Sequence, residues 1–402
     1  MKLINRTNVI NMLLVMGALL VVIGILEAGL RWTPFEALIA TVGVPRYYYT
    51  ADPKLGYDIT ANVSTSTISF ADQSFPIWSN ALGCFDTPYQ GESSSIYLAG
   101  DSFTWGFAPF EEKWGTRVQE FLGTRTLKCG VGGFGTIQER LKAERVFERV
   151  PTLKLTVLAY FRENDPTDDF AFPNKLVYDG YLVRKPEADT KRSFEEMQPR
   201  LADVYQYGKR YCMQTKPDHP SLQRLKCILT RHSITYHLVK NTVKQFVSEQ
   251  ELRQVGAVNV PVPSVFSMSA EDEQRHFAET GAFRETVRAK GSDFFVTLVP
   301  TREDVQLPLD APDPYRAYKA YLTSQDIPFI DLREMFHQVD PTATSLYWER
   351  DPHWNVRGNR LAGFLISDAL LERSAWIPER DEKRAALRKN LAKEFPVLSE
   401  LF

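Results

Sequence analysis

The chain has 402 residues, 44% of them hydrophobic and 24% charged, with 24 Pro and 22 Gly dispersed along it. These ordinary globular proportions exclude a disordered, collagen-like or disulfide-scaffold protein. Forty-eight basic against 50 acidic residues give a net charge of −2 and no electrostatic basis for a nucleic-acid partner, and a mean hydropathy of −0.28 excludes a polytopic membrane protein.

From Val9 to Leu26 no charge occurs, and through Leu30 the segment reaches 22 residues. At ~1.5 Å per residue that crosses a hydrocarbon core about 30 Å thick. Lys2 and Arg6 precede it, so the positive-inside rule places residues 1–8 in the cytoplasm and everything after Arg31 in the periplasm. The alternative is a cleaved signal peptide, but the apolar run is long for one and no small-x-small cleavage site follows closely. The expectation is a single helix, 9–30, anchoring the chain in the inner membrane. Residues 31–90 carry short polar-aromatic runs, such as Arg46–Tyr49 and Ser64–Phe70, broken by Pro, Gly and Asn. They read as a linker and a small β-rich lead-in.

A regular alternation then begins. Ser95–Ala99, Thr126–Val131 and Leu155–Phe161 are apolar runs of strand length, separated by helical stretches at Trp114–Leu122 and Ile137–Glu148. Asp293–Val299 and Ile327–Ile330 are two more such runs. Strands alternating with helices predict an α/β domain over 91–375, a parallel sheet flanked by helices. Residues 171–290 interrupt the pattern with a hairpin near Tyr178–Val183 and helical stretches at Phe194–Tyr207, Cys227–Leu252 and Asp272–Lys290, and read as a mostly helical insertion or lid. Residues 376–402 read as an amphipathic helix closing the fold. An extracytoplasmic compartment permits disulfides. Cys212 and Cys227 share one polar stretch, and Cys84 and Cys129 flank the first strand. Four cysteines allow three full pairings, and none has the C-x2-C spacing of a zinc site.

Four short segments fall at the ends of predicted strands, where parallel sheets place active residues. Gly100-Asp-Ser102 follows the first strand and precedes a helix, a turn that exposes Ser102 and its backbone N–H together, as a nucleophile with part of an oxyanion hole requires. Gly130-Val-Gly-Gly133-Phe-Gly135 follows the second strand, where glycines let backbone N–H groups approach a substrate; no Lys follows in Walker spacing, so it is not a phosphate loop. Asn164-Asp165 follows the third strand and offers a side-chain amide. Asp351-Pro-His353-Trp-Asn355 comes late, with a base and a carboxylate to fix its tautomer; Asp331 and Asp340 are rival carboxylates. Singly, each reads as a turn, a cap or a structural histidine. Their joint order and position predict a serine-dependent acyl transfer.

In these blocks the chain resembles the SGNH (GDSL-type) hydrolase superfamily over about residues 80–170 and 290–375. Ser102, Gly133, Asn164 and His353 match its four blocks, and Asp-x-His-Trp resembles the alginate and cell-envelope polysaccharide O-acetyltransferase branch, with the carboxylate, Asp351, two residues before the histidine. Lys128 and Arg162 depart from the usual openings of the second and third blocks, which bears on pocket shape. The resemblance implies a flavodoxin-like SGNH fold, a Ser102–His353–Asp351 triad, and an oxyanion hole from Ser102, Gly133 and Asn164. No cofactor or metal is implied. Trp105, Trp348 and Trp354 are candidates to stack on sugar faces, with core packing as the plain alternative. The expected substrate is an acyl ester of a glycan. Transfer rather than hydrolysis would require a multi-span acyltransferase partner to bring the acyl group across the membrane. A lipase or thioesterase lidded by the insertion, and a non-catalytic glycan-binding protein, are the other readings.

Overall fold

The computed structural model describes residues 6–32, 44–45, 47–70, 73–170, 172–173, 175–178, 181–184, 229, 233–236, 238–239, 269–349 and 351–400. The expected helices at Phe194–Tyr207 and Cys227–Leu252, and the Cys212–Cys227 pairing, lie outside them. Two compact units divide the chain: residues 1–43 with 205–264, and 44–204 with 265–402.

In the first unit, α1 (Arg6–Leu30) is apolar along its length, and its Leu13–Leu30 stretch, with a mean hydropathy of 2.5, is long and apolar enough to cross a membrane. Near its end Glu27 accepts hydrogen bonds from the Ile234 N–H at 2.8 Å and the Thr235 N–H at 3.1 Å. A carboxylate here completes the open end of the short helical turn at 234–236.

The second unit opens with two antiparallel hairpins, β1 (Tyr49–Asp52) with β2 (Gly56–Ile59) and β3 (Ser66–Phe70) with β4 (Gln73–Ile77). The sheet is built from β5 (Ile96–Gly100), β6 (Thr126–Lys128), β7 (Leu155–Tyr160), β10 (Asp293–Leu298) and β11 (Phe329–Asp331). All pairings are parallel, in the order β11-β10-β7-β5-β6. That is the flavodoxin-like winding, whose direction reverses between β5 and β7. A third hairpin joins β8 (Lys175–Tyr178) to β9 (Tyr181–Arg184), starting three residues before the expected one.

Period-two alternation divides the core. Ile96, Leu98, Val157 and Phe295 face one side and pack with Trp114, Val118, Leu361 and Leu365. Those partners come from α3 (Trp114–Leu122) and the helix Val356–Arg373. Tyr97, Ala99, Leu158, Val296 and Leu298 face the other side and pack with Val146, Phe147, Phe277, Phe283 and Tyr318, from α4 (Thr136–Arg149) and the helices Ala270–Arg288 and Arg316–Ser324. The stretch expected as Asp272–Lys290 is thus a crossover helix covering the sheet. The closing helix runs Arg380–Glu394, with Leu387, Leu391, Phe395 and Leu398 buried on the first face. A third cluster, around Tyr48, Tyr57, Phe85, Trp105 and Phe134, joins the lead-in to the turns that follow β5 and β6. Cys84 and Cys129 form a disulfide between the lead-in and the residue just before Gly130.

Candidate active site

β5 ends at Gly100, whose φ of +145° is open to glycine; a Cβ there would lie 2.1 Å from Thr104 Oγ1. The chain therefore turns at once into a four-residue helix, α2 (Ser102–Trp105). Asp101, fully buried, caps it by accepting from the Phe103 N–H at 2.8 Å. Ser102 stands at the first position of that helix, above the carboxyl end of the sheet beside the winding reversal. Burial pushes the Asp101 carboxyl up, against the Phe103 N–H and the nearby His353, which pull it down.

Far along the chain, an antiparallel bridge joins Tyr347 to Trp354 and closes the loop that carries His353. Trp348 N–H donates to His353 O at 3.1 Å, and Asn355 N–H to Leu346 O at 3.0 Å. Asn355 also caps the helix Val356–Arg373, accepting from Gly358 N–H at 3.0 Å. These bonds present His353 towards α2, with its ring between Phe103 and Phe107 at centroid distances of 4.9 and 4.4 Å. Its Nε2 lies 2.8 Å from Ser102 Oγ and its Nδ1 2.5 Å from Asp351 Oδ1. The same Asp351 oxygen accepts the His353 backbone N–H at 2.9 Å. Side-chain exposures of 17% for His353 and 25% for Asp351 leave the pair open to a ligand.

The structure therefore brings Ser102, His353 and Asp351 together across 251 positions of sequence. The rival carboxylates are engaged elsewhere. Asp331 pairs with Lys319 and accepts the Arg333 N–H at 2.9 Å. Asp340 holds the turn at Thr342–Ser345.

The glycine turn also reaches the site. A Cβ on Gly132 would lie 3.9 Å from Ser102 Cβ and 3.5 Å from the Tyr49 hydroxyl oxygen. Gly133 has φ +77°, strained for any L side chain. Asn164 follows β7 as expected, but its amide is turned to carboxylates: Nδ2 donates to Asp168 Oδ2 at 3.3 Å, and the amide also bonds Asp101.

Two expected sugar contacts are corrected. Trp105 is 1% exposed and donates its Nε1–H to Tyr48 OH at 3.0 Å, because α2 turns it inward to the third cluster. Trp354 is 2% exposed and packs between Phe103 and Phe336, at 5.0 and 5.2 Å. Both are core residues. Trp348 is half-buried, donates Nε1–H to Phe107 O at 3.1 Å, and lines an open groove of about 450 Å3 with Gln73, Asn355, Arg357 and Arg360.

Arg302, just beyond β10, was not singled out by sequence. Its guanidinium donates to three carbonyls of the histidine loop: Trp348 O, Glu349 O at 3.4 Å and Asp351 O at 3.0 Å. Backbone carbonyls carry no residue signature, so no sequence pattern points to such a clamp.

Residues 264–396 match the family model described as the SGNH hydrolase-like domain of the acetyltransferase AlgX. Over that third of the chain the protein is similar to SGNH hydrolase-like domains. The matched segment includes Asp351 and His353 and begins well after Ser102, whose place at the site rests on the geometry above. A search of the curated proteins finds no match. Among solved structures, the protein YXIM from Bacillus subtilis aligns with 14% identity and a TM-score of 0.36, over 71% of this chain and 58% of that one. The alignment thus spans less than two thirds of that protein.

Proposed function

We propose that this chain is a membrane-anchored, extracytoplasmic serine esterase or O-acetyltransferase acting on acyl esters of a cell-envelope or exopolysaccharide glycan. The observation that carries the reading is the Asp351–His353–Ser102 chain of contacts, at 2.5 and 2.8 Å, at the carboxyl end of the sheet. In it, His353 Nε2 takes the Ser102 proton as Oγ attacks the ester carbonyl, and Asp351 orients the ring and stabilises its cation. The N–H groups of Ser102 and Gly133 hold the oxyanion, and Asn164 joins them when its amide turns from Asp168. The acyl-enzyme is released to water (esterase) or to a sugar hydroxyl (transferase). The AlgX match favours acetyl as the group carried. Trp348, with its groove, is the tryptophan placed to meet a sugar.

The apolar N-terminal helix, the charges at Lys2 and Arg6 ahead of it, and the Cys84–Cys129 bond support an outward-facing domain. For transfer, a multi-span partner would deliver the acyl group from the cytoplasmic side. The test is intact-mass detection of an acyl adduct after exposure to a chromogenic acetyl ester, with Ser102→Ala as control. An adduct on the parent alone is expected. Equal turnover by the variant would remove Ser102 from the mechanism. Acetate release with water as sole acceptor would assign the esterase.

A further inference from the structure

Two segments outside the sheet converge on the glycine turn. Tyr57, on β2, shares its one hydroxyl proton between Gly132 O and Gly133 O, at 2.9 and 2.8 Å. Lys175, the first residue of β8, arrives at the same place. Its Nζ lies 1.6 Å from the position a Cβ would take on Gly133. With one further bond length, the ammonium stands about 3 Å from the Gly133 α-carbon. It is also 5.9 Å from the centroid of the Tyr57 ring.

This lysine is seated from behind. Leu176 is 1% exposed, and Val177, on the same strand face as Lys175, packs against the cluster containing Tyr57 and Trp105. In the β1–β2 turn a Cβ on Gly56 would come within 2.5 Å of Pro173 Cβ and 3.0 Å of Lys175 O. Pro173 and the Lys175 carbonyl therefore rest on the lead-in by a close approach that the glycine permits.

We propose that Lys175 is a charge-stabilising residue of the acyl-transfer site, its ammonium held at Gly133 to face the oxyanion that forms there. The proposal rests on the Ser102 reading above. When Oγ bonds to the ester carbon, the Ser102 proton passes to His353 Nε2 and the carbonyl π pair moves onto oxygen. One negative charge then appears where a neutral carbonyl stood, and Lys175 exchanges neither proton nor electron. A fixed charge in a partly dry site acts on that oxygen more strongly than in water. The neutral ground-state ester gains little from it, so the effect falls on kcat and not on KM. Asp101 and Asp168 are each hydrogen-bonded by Asn164, and Asp169, whose Oδ1 lies against Gly135 at the end of the turn, is bonded to the Ile137 N–H and to His276.

The experiment uses the full chain in detergent, with an acetyl ester and a fluorophosphonate, whose phosphoryl oxygen takes the oxyanion position. Lys175→Met should lower kcat by about ten- to a hundredfold, less than the ~10²–10³ of a direct oxyanion donor. KM should stay within about twofold, and Ser102 labelling should slow in parallel. Lys175→Arg, which keeps the charge, should stay within about fivefold of the parent. Lys175→Gln, polar and uncharged, should follow the Met variant and serves in its place if that protein misfolds. Parent-like kcat in the uncharged variants, or an equal loss in the Arg variant, overturns the role of Lys175 and leaves Ser102 standing. A parent protein that neither turns over ester nor labels at Ser102 overturns both.

Discussion

Among the described residues, the second unit contains two carboxylate–imidazole–hydroxyl chains. Asp351, His353 and Ser102 are joined at 2.5 and 2.8 Å. Asp169, His276 and Tyr160 are joined at 2.8 and 3.1 Å. By connectivity they are nearly the same object, and they differ in access and in the hydroxyl. The His276 side chain is fully buried. Tyr160 is 1% exposed and stacked on Tyr318 at 3.9 Å, and burial holds its phenol well above its ordinary range. Asp169 is shared further, accepting from the Ile137 N–H at 2.9 Å. This second chain ties the helix Ala270–Arg288 to the sheet and to the start of α4. What sets the proposed triad apart is therefore less its three groups than a small hydroxyl at a turn and an open face.

Four substitutions break or sharpen that contrast. The largest effect is expected for Ser102→Ala, which should lower acetyl-ester turnover by at least ~10³-fold with an unchanged urea midpoint; turnover retained at the parent level would erase the distinction between the two chains. His276→Ala should do the opposite. It strands the Asp169 carboxyl and the Tyr160 hydroxyl in the core, at a cost of about 2–4 kcal/mol in urea unfolding, while kcat per folded molecule stays at the parent value. A large kcat loss in fully folded protein would make the buried chain part of the chemistry.

Arg302→Met comes next. It frees three carbonyls of the 348–351 segment and should cost about tenfold to a hundredfold in kcat, through a looser Asp351–His353 geometry. Unchanged kcat would show that the loop's own hydrogen bonds suffice. The smallest effect belongs to Asp340→Asn, in the turn that leads to the histidine loop. Partial burial raises the Asp340 carboxyl, but hydrogen bonds from Thr342 and Ser345 outweigh it and bring it down to about 2. A lowered carboxylate contributes stability that is complete above its unfolded value near 3.9 and is lost as pH falls through about 2. The stability gap between parent and variant should therefore be constant above about pH 5, shrink below it and close near pH 1. A gap of undiminished size at pH 1 would mean that the turn is held by something other than the charged carboxylate.

What was legible in sequence follows from what is local. The strands are short apolar runs with turns directly after them, so β5, β6, β7, β10 and β11 could be placed, and Gly100-Asp-Ser102 and Asp351-x-His353 are compact enough to read. Ser102 and His353 could be paired only through their shared position at strand ends. The fates of Trp105 and Trp354 were not legible, because one residue of rotation decides whether a ring beside a catalytic residue faces a ligand or a core. The helix Ala270–Arg288 carries charge on much of its surface and was read with the insertion; Phe277, Phe283 and Val287 are the narrow stripe that seats it on the sheet. The Asp169–His276 contact spans 107 positions, and no spacing announces it. Among the cysteines, Cys84 and Cys129 meet because residue 129 directly continues β6, and Leu82 and Leu127 pack the lead-in turn carrying Cys84 into the same buried cluster.

That sulfur–sulfur link has a practical bearing. It joins the lead-in to the residue next to Gly130, so the turn whose amides are proposed to hold the oxyanion is moored by a covalent bond that oxidising compartments favour. Material produced in a reducing cytosol would keep its sheet while that mooring is undone. An assay blank from such a preparation would then reflect how the sample was made and not whether Ser102 can react.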